Sequence, residues 1–241
     1  MINLSIIVPC YNEADSLERL FNCCKESCNN RTDIEFVFVN NGSTDSTQEI
    51  MDGLLTNKEY SFGKSVHVKI NKGYGYGILQ GLAIANGEIL SWTHADLQTD
   101  PKDVIRGYDL FKKQLCSNTC IVKGARKGRN LFDVFFTAGM SIIASILLGT
   151  KLNDINAQPK MFHKEFMKLL KNAPHDFSLD LYVLYTAARS GITCQEMSVY
   201  FNKREFGTAK GGGTLKGKFN LIKRTFSYIF ELRQAITKGI R

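Results

Sequence analysis

The sequence lacks the features that are typical of secreted, zinc-binding or membrane-spanning proteins. Its seven cysteines form no CxxC pair, and their odd number argues against a disulfide framework. The uncharged stretch at residues 134–150 has 17 residues, and a helix of that length spans about 25 Å, less than the ~30 Å hydrocarbon core of a bilayer. Met1 leads almost directly into an apolar run, so we expect a cytosolic protein without a secretion signal.

Acidic residues are scarce in the last part of the chain. From Phe201 onward there are ten lysines and arginines but only two acidic residues, so this segment carries the whole net charge of +8. A basic tail on a neutral body favours a polyanionic partner. No stacking motif or DNA-reading helix accompanies the tail, which favours an anionic lipid surface over nucleic acid.

Two apolar segments are candidates for contact with such a surface. In residues 134–150, Gly139, Ser141 and Ser145 give the predicted helix a weaker face. This pattern favours an interfacial or groove-lining helix, with a core helix as the alternative. In residues 215–238, phenylalanine, isoleucine and leucine are interleaved with lysine and arginine, which predicts a basic amphipathic helix. Both helices could instead simply pack on the sheet.

Three apolar runs each end in a polar cluster, and these clusters carry most of the functional information. Runs rich in valine, isoleucine and phenylalanine that stop at Pro, Gly, Asn or Asp are typical of buried parallel strands. Strand and helix patterns alternate through the first 125 residues, which predicts an α/β fold with a doubly wound parallel sheet. Ligands of such sheets bind outside the carboxyl ends of the strands, so the clusters predict one shared site for a small polar or phosphorylated ligand. The clusters are residues 9–13, 40–45 and 93–98.

The third cluster contains a candidate metal site. Asp96 and Gln98 are two residues apart beyond a strand end, so both side chains can point to the same side. A carboxylate and an amide oxygen are hard ligands that suit Mg²⁺ or Mn²⁺, with diphosphate oxygens completing the shell. His94 could add an imidazole, which suits Mn²⁺ better than Mg²⁺. Taken alone, so short a motif is more often a loop with a helix cap.

The first two clusters suit a nucleotide. Tyr11 could stack on a base and Glu13 could hold a ribose hydroxyl, although Pro9 and its neighbours could merely punctuate a strand-to-helix turn. Asn40 and Asn41 can each donate and accept hydrogen bonds, as recognition of a base edge or a ribose requires. A nucleotide is therefore the ligand that these two clusters favour.

Further motifs follow the three clusters in a fixed order. The whole set is Pro9-x-Tyr-Asn-Glu13, Asn40-Asn-Gly-Ser-Thr-Asp45, Asn71-x-Gly73, Ala95-Asp96-Leu-Gln98-x-x-Pro101, Gly124-Ala-Arg126, Asp154-x-x-Ala-Gln-Pro-Lys-Met-Phe162, Phe177-Ser-Leu-Asp180, Glu196-Met-Ser-Val-Tyr200 and Arg204-x-x-Gly207-x-x-Lys210. It resembles the family 2 glycosyltransferases with the GT-A fold, most closely their polyprenyl-phosphate (dolichol-phosphate) hexose synthase branch. The resemblance implies a GT-A domain over residues 1–210, with a Rossmann-like, mostly parallel sheet flanked by helices. The basic amphipathic helix would follow within residues 211–241.

By position, the resemblance implies roles for three groups of residues. The nucleotide would be held by Pro9, Tyr11, Glu13 and Asn40; the Mn²⁺ or Mg²⁺ ion by Asp96 and Gln98; and the acceptor phosphate by Arg126, Arg204 and Lys210. The chemistry agrees, because guanidinium groups bind phosphate with two parallel hydrogen bonds.

The chain departs from the family pattern in two places. His94 stands where the family usually has Asp, and Asn40 and Asn41 stand where it usually has a pair of Asp residues. The histidine removes a negative charge from the metal site, so the affinity for metal could be lower or the preference for Mn²⁺ sharper. Neither change is expected to inactivate the protein, because Asp96 and Gln98 remain.

The resemblance implies an inverting glycosyltransferase that moves a hexose from a nucleotide diphosphate sugar to a polyprenyl phosphate. Such an acceptor is anionic at neutral pH and needs no general base, whereas a sugar hydroxyl needs one, for which Asp180 is the candidate. Asp180 could equally be a helix N-terminal carboxylate that the helix dipole stabilises. We expect a cytoplasmic protein that associates peripherally with the anionic surface of the cytoplasmic membrane.

Three alternative functions stay open. The first is a soluble or peripheral family 2 transferase that acts on a saccharide hydroxyl during polysaccharide or glycolipid assembly. The second is an inactive paralogue that binds sugar nucleotides, suggested by His94 and the two asparagines. A nucleic-acid-binding module is more distant, because it rests only on the basic tail.

Overall fold

The fold is an α/β sandwich built on one mixed sheet. A computed structural model describes the backbone of residues 1–202 and 215–237, with side chains of the last helix described for residues 223–234. The described chain forms a seven-stranded sheet with the order β3-β2-β1-β4-β6-β5-β7. The strands are β1 (Leu4–Cys10), β2 (Ile34–Asn41), β3 (Gly63–Val68), β4 (Ile89–Trp92), β5 (Cys120–Lys127), β6 (Lys160–His163) and β7 (Thr193–Tyr200).

Helices cover both faces of this sheet. The helices are α1 (Leu17–Cys28), α2 (Thr47–Leu55), α3 (Tyr74–Ile84), α4 (Pro101–Cys116), α5 (Leu131–Leu148), α6 (Ser178–Arg189) and α7 (Leu215–Thr237). Helices α1, α2 and α4 contribute to the apolar core on one face, and α3, α5, α6 and α7 to the core on the other. Because both faces are covered, the central strands are apolar almost throughout, and every residue of β2 is buried.

The strand pairing confirms the predicted, mostly parallel sheet. Strand β1 pairs in parallel with β2 and with β4, so the ends of the three strands that carry the polar clusters lie side by side. Strand β6 runs antiparallel to both of its neighbours, β4 and β5. It brings the segment just before it, residues 154–159, to the same edge of the sheet as the carboxyl end of β5.

Helix α5 has an unusual distribution of side chains. Ser141, Ala144 and Leu148 are its buried residues, whereas eight of its large apolar side chains are exposed. At least 41% of each of these side chains is exposed. By length and composition alone, the 18 residues of α5 are long and apolar enough to cross a membrane, which corrects the expectation drawn from the shorter segment at residues 134–150. The alternative of a core helix is wrong for most of its surface. The outward-facing residues are Leu131, Phe132, Val134, Phe135, Phe136, Ile142, Ile143 and Ile146.

Helix α7 is amphipathic, as the sequence predicts. Thr225, Ile229 and Leu232 recur at helical spacing and are buried, while Lys223 and Arg233 are exposed. The helix packs against α5 and α6. The division of the chain into a domain at residues 1–210 and a separate segment at residues 211–241 stays a prediction.

Candidate active site

One cavity of about 470 Å³ lies at the carboxyl edge of the sheet. Residues from all three polar clusters line it, so the predicted convergence of the strand ends is confirmed. Residues from later in the chain close the other side of the cavity. The predicted site residues that line the cavity are Pro9, Tyr11, Glu13, Asn41, His94, Asp96, Gln98, Arg126 and Asp180. Arg204 and Lys210, the other two predicted phosphate ligands, lie outside the described residues.

The two asparagines at the end of β2 have different environments, because successive side chains of a strand point to opposite faces. Asn40 does not line the cavity: its Nδ2 donates to Gln48 Oε1 at 2.8 Å and its Oδ1 accepts from the Ser43 N–H at 3.0 Å. Asn41 does line it, with Nδ2 donating to the Gly73 carbonyl at 3.0 Å. The Oδ1 of Asn41 is buried and has no hydrogen-bond partner among the described residues. Asn41 is therefore the better placed of the two to accept a hydrogen bond from a ligand.

The candidate metal ligands follow β4. Asp96 Oδ1 accepts from the Gln98 N–H at 3.1 Å, and Gln98 Nε2 donates to the Asn202 carbonyl at 3.1 Å, which orients the amide. Between them Leu97 adopts a left-handed backbone conformation with φ of 56°, which is uncommon for leucine and typical of functional loops.

The chemistry of these side chains fits a hard divalent cation. Burial lowers the pKa of His94, against the opposing effect of the Asp96 charge, so its imidazole is neutral as a metal ligand must be. Within the described residues, no group of three or more His, Cys, Asp and Glu side chains could hold a metal. A cation here would therefore draw much of its coordination shell from a bound diphosphate and from water.

An aromatic wall lies between the metal motif and Asp180. The ring of Tyr74 stacks on Phe177 with centroids 4.7 Å apart, and lies 5.8 Å from the ring of His94. The start of α3 can approach the segment that precedes Phe177 because Gly73 has φ of 116°, and a Cβ there would lie 2.4 Å from the His175 carbonyl oxygen. The sequence analysis did not identify Tyr74 as a residue of the site. The glycines on either side of it, Gly73 and Gly75, were the pattern that could have pointed to it.

Asp180 lies in the first turn of α6 and is only 1% exposed. It accepts hydrogen bonds from Lys160 Nζ at 2.8 Å and from Gln158 Nε2 at 3.0 Å. Lys160 is equally buried and also donates to the carbonyls of Ile155 and Ala157. Burial lowers the pKa of Lys160, and the charge of Asp180 offsets part of that shift. Asp180 thus already accepts hydrogen bonds from two buried donors of the protein.

Arg126 has a carboxylate partner within the protein. Its Nε donates to Asp154 at 3.0 Å, and its Nη2 also contacts this carboxylate. Although burial alone would raise the pKa of Asp154, its hydrogen bonds to Arg126 lower it. Arg129 forms a second ion pair with Asp154 at 3.3 Å. Arg126 thus lines the cavity while its guanidinium is held by a carboxylate that it shares with Arg129.

Arg224 of α7 reaches the same cavity, which sequence reasoning missed. Its Nη2 lies 3.0 Å from Asp176 Oδ2, and both residues line the cavity. The other oxygen of Asp176 accepts from the Ser178 N–H at 2.9 Å, at the start of α6. The pair connects residues 48 positions apart in the chain, so no local sequence pattern could have revealed it.

The chain matches the family described as Glycosyl transferase family 2 over residues 5–175. It is 26% identical over 221 residues to the undecaprenyl-phosphate 4-deoxy-4-formamido-L-arabinose transferase of Photorhabdus laumondii, covering 86% of this chain and 62% of that one. It is 27% identical over 240 residues to a dolichyl-phosphate beta-glucosyltransferase of Trichomonas vaginalis, covering 92% of this chain and 72% of that one. The chain thus spans less than two thirds of the length of the first of these relatives.

The fold also matches solved structures. Glucosyl-3-phosphoglycerate synthase from Mycobacterium tuberculosis, crystallised with Mn²⁺, uridine diphosphate and glucosyl-3-phosphoglycerate, superposes with a TM-score of 0.70 at 16% identity. The match covers 96% of this chain and 80% of that one. At this identity the likeness establishes a shared fold.

Proposed function

The chain belongs to glycosyl transferase family 2, and we propose that it is an inverting, metal-dependent enzyme that moves a hexose from a nucleotide diphosphate sugar to a polyprenyl phosphate. The proposal rests on one observation: residues of the first two polar clusters, the Asp96–Gln98 motif and Asp180 line the same cavity. The two relatives described above are named for transfer to undecaprenyl phosphate and dolichyl phosphate, which supports this class of acceptor.

The donor would occupy the side of the cavity formed by β1, β2 and β4. Tyr11 would stack on the base, Glu13 would hold the ribose, and Asn41 Oδ1 would accept a hydrogen bond from a base N–H. Asp96 and Gln98, with His94, would hold Mn²⁺ or Mg²⁺. Such a cation, when bound, neutralises the charge that develops on a departing diphosphate. The aromatic wall of Tyr74 and Phe177 would then exclude water from the sugar.

The environment of Asp180 favours a phosphate as the acceptor. In the proposed reaction an acceptor phosphate oxygen forms the new bond to the anomeric carbon while the bond to the nucleotide diphosphate breaks on the opposite face, which inverts the configuration. The attacking oxygen is already anionic, so no proton has to be removed. This suits a site whose Asp180 is already engaged by Lys160 at 2.8 Å.

A donor screen tests the proposal directly. The purified protein would be incubated with Mn²⁺, liposomes that contain undecaprenyl phosphate, and radiolabelled nucleotide sugars in turn. We expect label in the lipid phase with one donor. Release of nucleotide without lipid label would contradict the proposed acceptor and point to transfer to a saccharide hydroxyl. Metal-dependent nucleotide binding without transfer or hydrolysis would contradict the proposed activity and leave an inactive sugar-nucleotide-binding protein.

We further propose that the protein docks on the anionic surface of the cytoplasmic membrane through α5 and α7. The outward apolar face of α5 would lie among the lipid chains, and the exposed lysine and arginine of α7 would lie near lipid phosphates. Single exposed apolar residues are common on soluble proteins, but eight on one helix form a patch that needs a partner. A polyprenyl phosphate in that membrane would reach the cavity from the side of these helices.

Flotation with anionic liposomes tests this docking. Replacing Phe135 and Ile146, which are 77% and 75% exposed, by serine should reduce the liposome-bound fraction at least ~10-fold, because each loses its apolar contact with lipid. Leu110→Ser is the matched control, since Leu110 is 65% exposed but lies on α4, on the other face of the sheet. Equal flotation of the double variant and the wild type, or no wild-type association even at low salt, would contradict the docking proposal.

A further inference from the structure

The described residues that line the cavity include more carboxylates than cationic side chains. Among the described residues, its lining contains the carboxylates of Glu13, Asp96, Asp176 and Asp180, but only two guanidinium groups. One of these, Arg126, is 12% exposed and held by the equally buried Asp154. A divalent cation would balance the donor diphosphate, but an acceptor phosphate needs a cationic partner of its own.

Arg224 is the guanidinium that can most readily change partners. Its side chain is 57% exposed and that of Asp176 is 30% exposed, so the ion pair between them is largely solvated. Exposed pairs of this kind contribute little to stability. A phosphate offers a guanidinium two parallel, charge-assisted hydrogen bonds in place of the single 3.0 Å contact with Asp176.

The position of Arg224 points to the acceptor rather than the donor. The donor side of the cavity is formed by residues that follow β1, β2 and β4, whereas Arg224 enters from α7, beside Asp176 at the start of α6. Helix α7 also packs against α5, whose apolar face is turned outward. A phosphate carried on an apolar chain along these helices would meet Arg224 as it enters the cavity.

We propose that Arg224 binds the phosphate of the acceptor, a phosphomonoester on an isoprenoid chain, and that Asp176 holds the guanidinium in place until the acceptor arrives. The inference rests on the proposed function and extends it to a residue beyond the family match, which ends at residue 175. It also assigns Asp176 a role as a competitor for Arg224, so that each acceptor molecule must displace this carboxylate.

Steady-state kinetics with a short, water-soluble isoprenyl phosphate test the proposal without any membrane. Arg224→Gln should raise the KM for this acceptor at least ~10-fold, because a charge-assisted hydrogen bond to phosphate is lost, with the donor KM unchanged. Arg224→Lys should recover part of the loss. Asp176→Asn keeps an oxygen for the Ser178 N–H but removes the competing charge, so it should lower the acceptor KM.

Arg189→Gln is the matched control, because it makes the same chemical change at an exposed arginine of α6 that does not line this cavity. Its acceptor KM should equal that of the wild type. The proposal is overturned if Arg224→Gln leaves the acceptor KM unchanged while its melting temperature matches the wild type, if it raises only the donor KM, or if Arg189→Gln has the same effect. If the wild type itself transfers sugar to no phosphate acceptor, the proposed function fails instead.

Discussion

Replacing Asp96 by asparagine should reduce sugar transfer at least ~10³-fold, the largest effect on activity that we expect from one substitution. Asp96 is the carboxylate among the three candidate metal ligands, alongside the neutral side chains of Gln98 and His94. Asparagine retains an oxygen that can accept the 3.1 Å hydrogen bond from the Gln98 N–H, so the loop can keep its shape. The measurement is the initial rate of label transfer to the lipid phase at saturating Mn²⁺ and donor.

A control separates loss of the metal ligand from a general loss of negative charge. Asp109→Asn makes the same chemical change at an exposed carboxylate, which pairs with Arg31 at 2.9 Å far from the cavity. Its activity should match the wild type. If Asp96→Asn is folded, as judged by its melting temperature, and retains more than about a tenth of the wild-type rate, Asp96 does not hold an essential cation.

Replacing Lys160 by methionine should lower the free energy of unfolding by about 3–5 kcal/mol, the largest effect on stability that we expect. Both Lys160 and Asp180 are 1% exposed in their ion pair, so the substitution leaves a buried carboxylate without its counter-charge. It also removes the donor for the carbonyl oxygens of Ile155 and Ala157. Urea unfolding followed by circular dichroism measures the change.

The double variant Lys160→Met/Asp180→Asn tests the physical reason for this loss. Removing both charges should restore a large part of the lost stability, because asparagine can still accept from Gln158 Nε2 and leaves no charge buried. Lys102→Met is the surface control, since Lys102 pairs with Glu26 at 3.8 Å with both side chains mostly exposed. An effect of Lys160→Met no larger than that of Lys102→Met would show that the buried pair is unimportant for stability.

The sequence predicts the part of the molecule built on β1, β2 and β4 well because its signals are local. The apolar runs that precede Pro9, Asn40 and Thr93 are strands β1, β2 and β4, and adjacent parallel strands place their polar ends together. The apolar segment near residues 134–150 is a helix, three residues displaced at its start. Hydrophobic periodicity and the polar residues that end a strand are short-range patterns, so they can be recognised without any three-dimensional information.

The other features depend on contacts between distant residues. Which of Asn40 and Asn41 faces the cavity follows from the strand register. Their side-chain chemistry favoured both, and the family resemblance implied Asn40, whereas Asn41 is the one that lines the cavity. The antiparallel strand β6 has only four residues, too few for a recognisable alternation. The partners of Asp180 and of Arg224 come from other segments of the chain. This explains why a helix-terminal carboxylate was a reasonable alternative for Asp180 and why Arg224 was missed.

The orientation of helix α5 also affects how the protein's folding should be understood. Most helices of a water-soluble protein gain their stability by burying large apolar side chains. Helix α5 instead buries Ser141 and Ala144 and leaves Phe135 and Ile146 exposed. In water this helix adds little to the driving force for folding. A bilayer that receives its outer face would act as a stabilising ligand of the native state. The resistance of this protein to heat and urea would then be a joint property of the chain and the surrounding lipid.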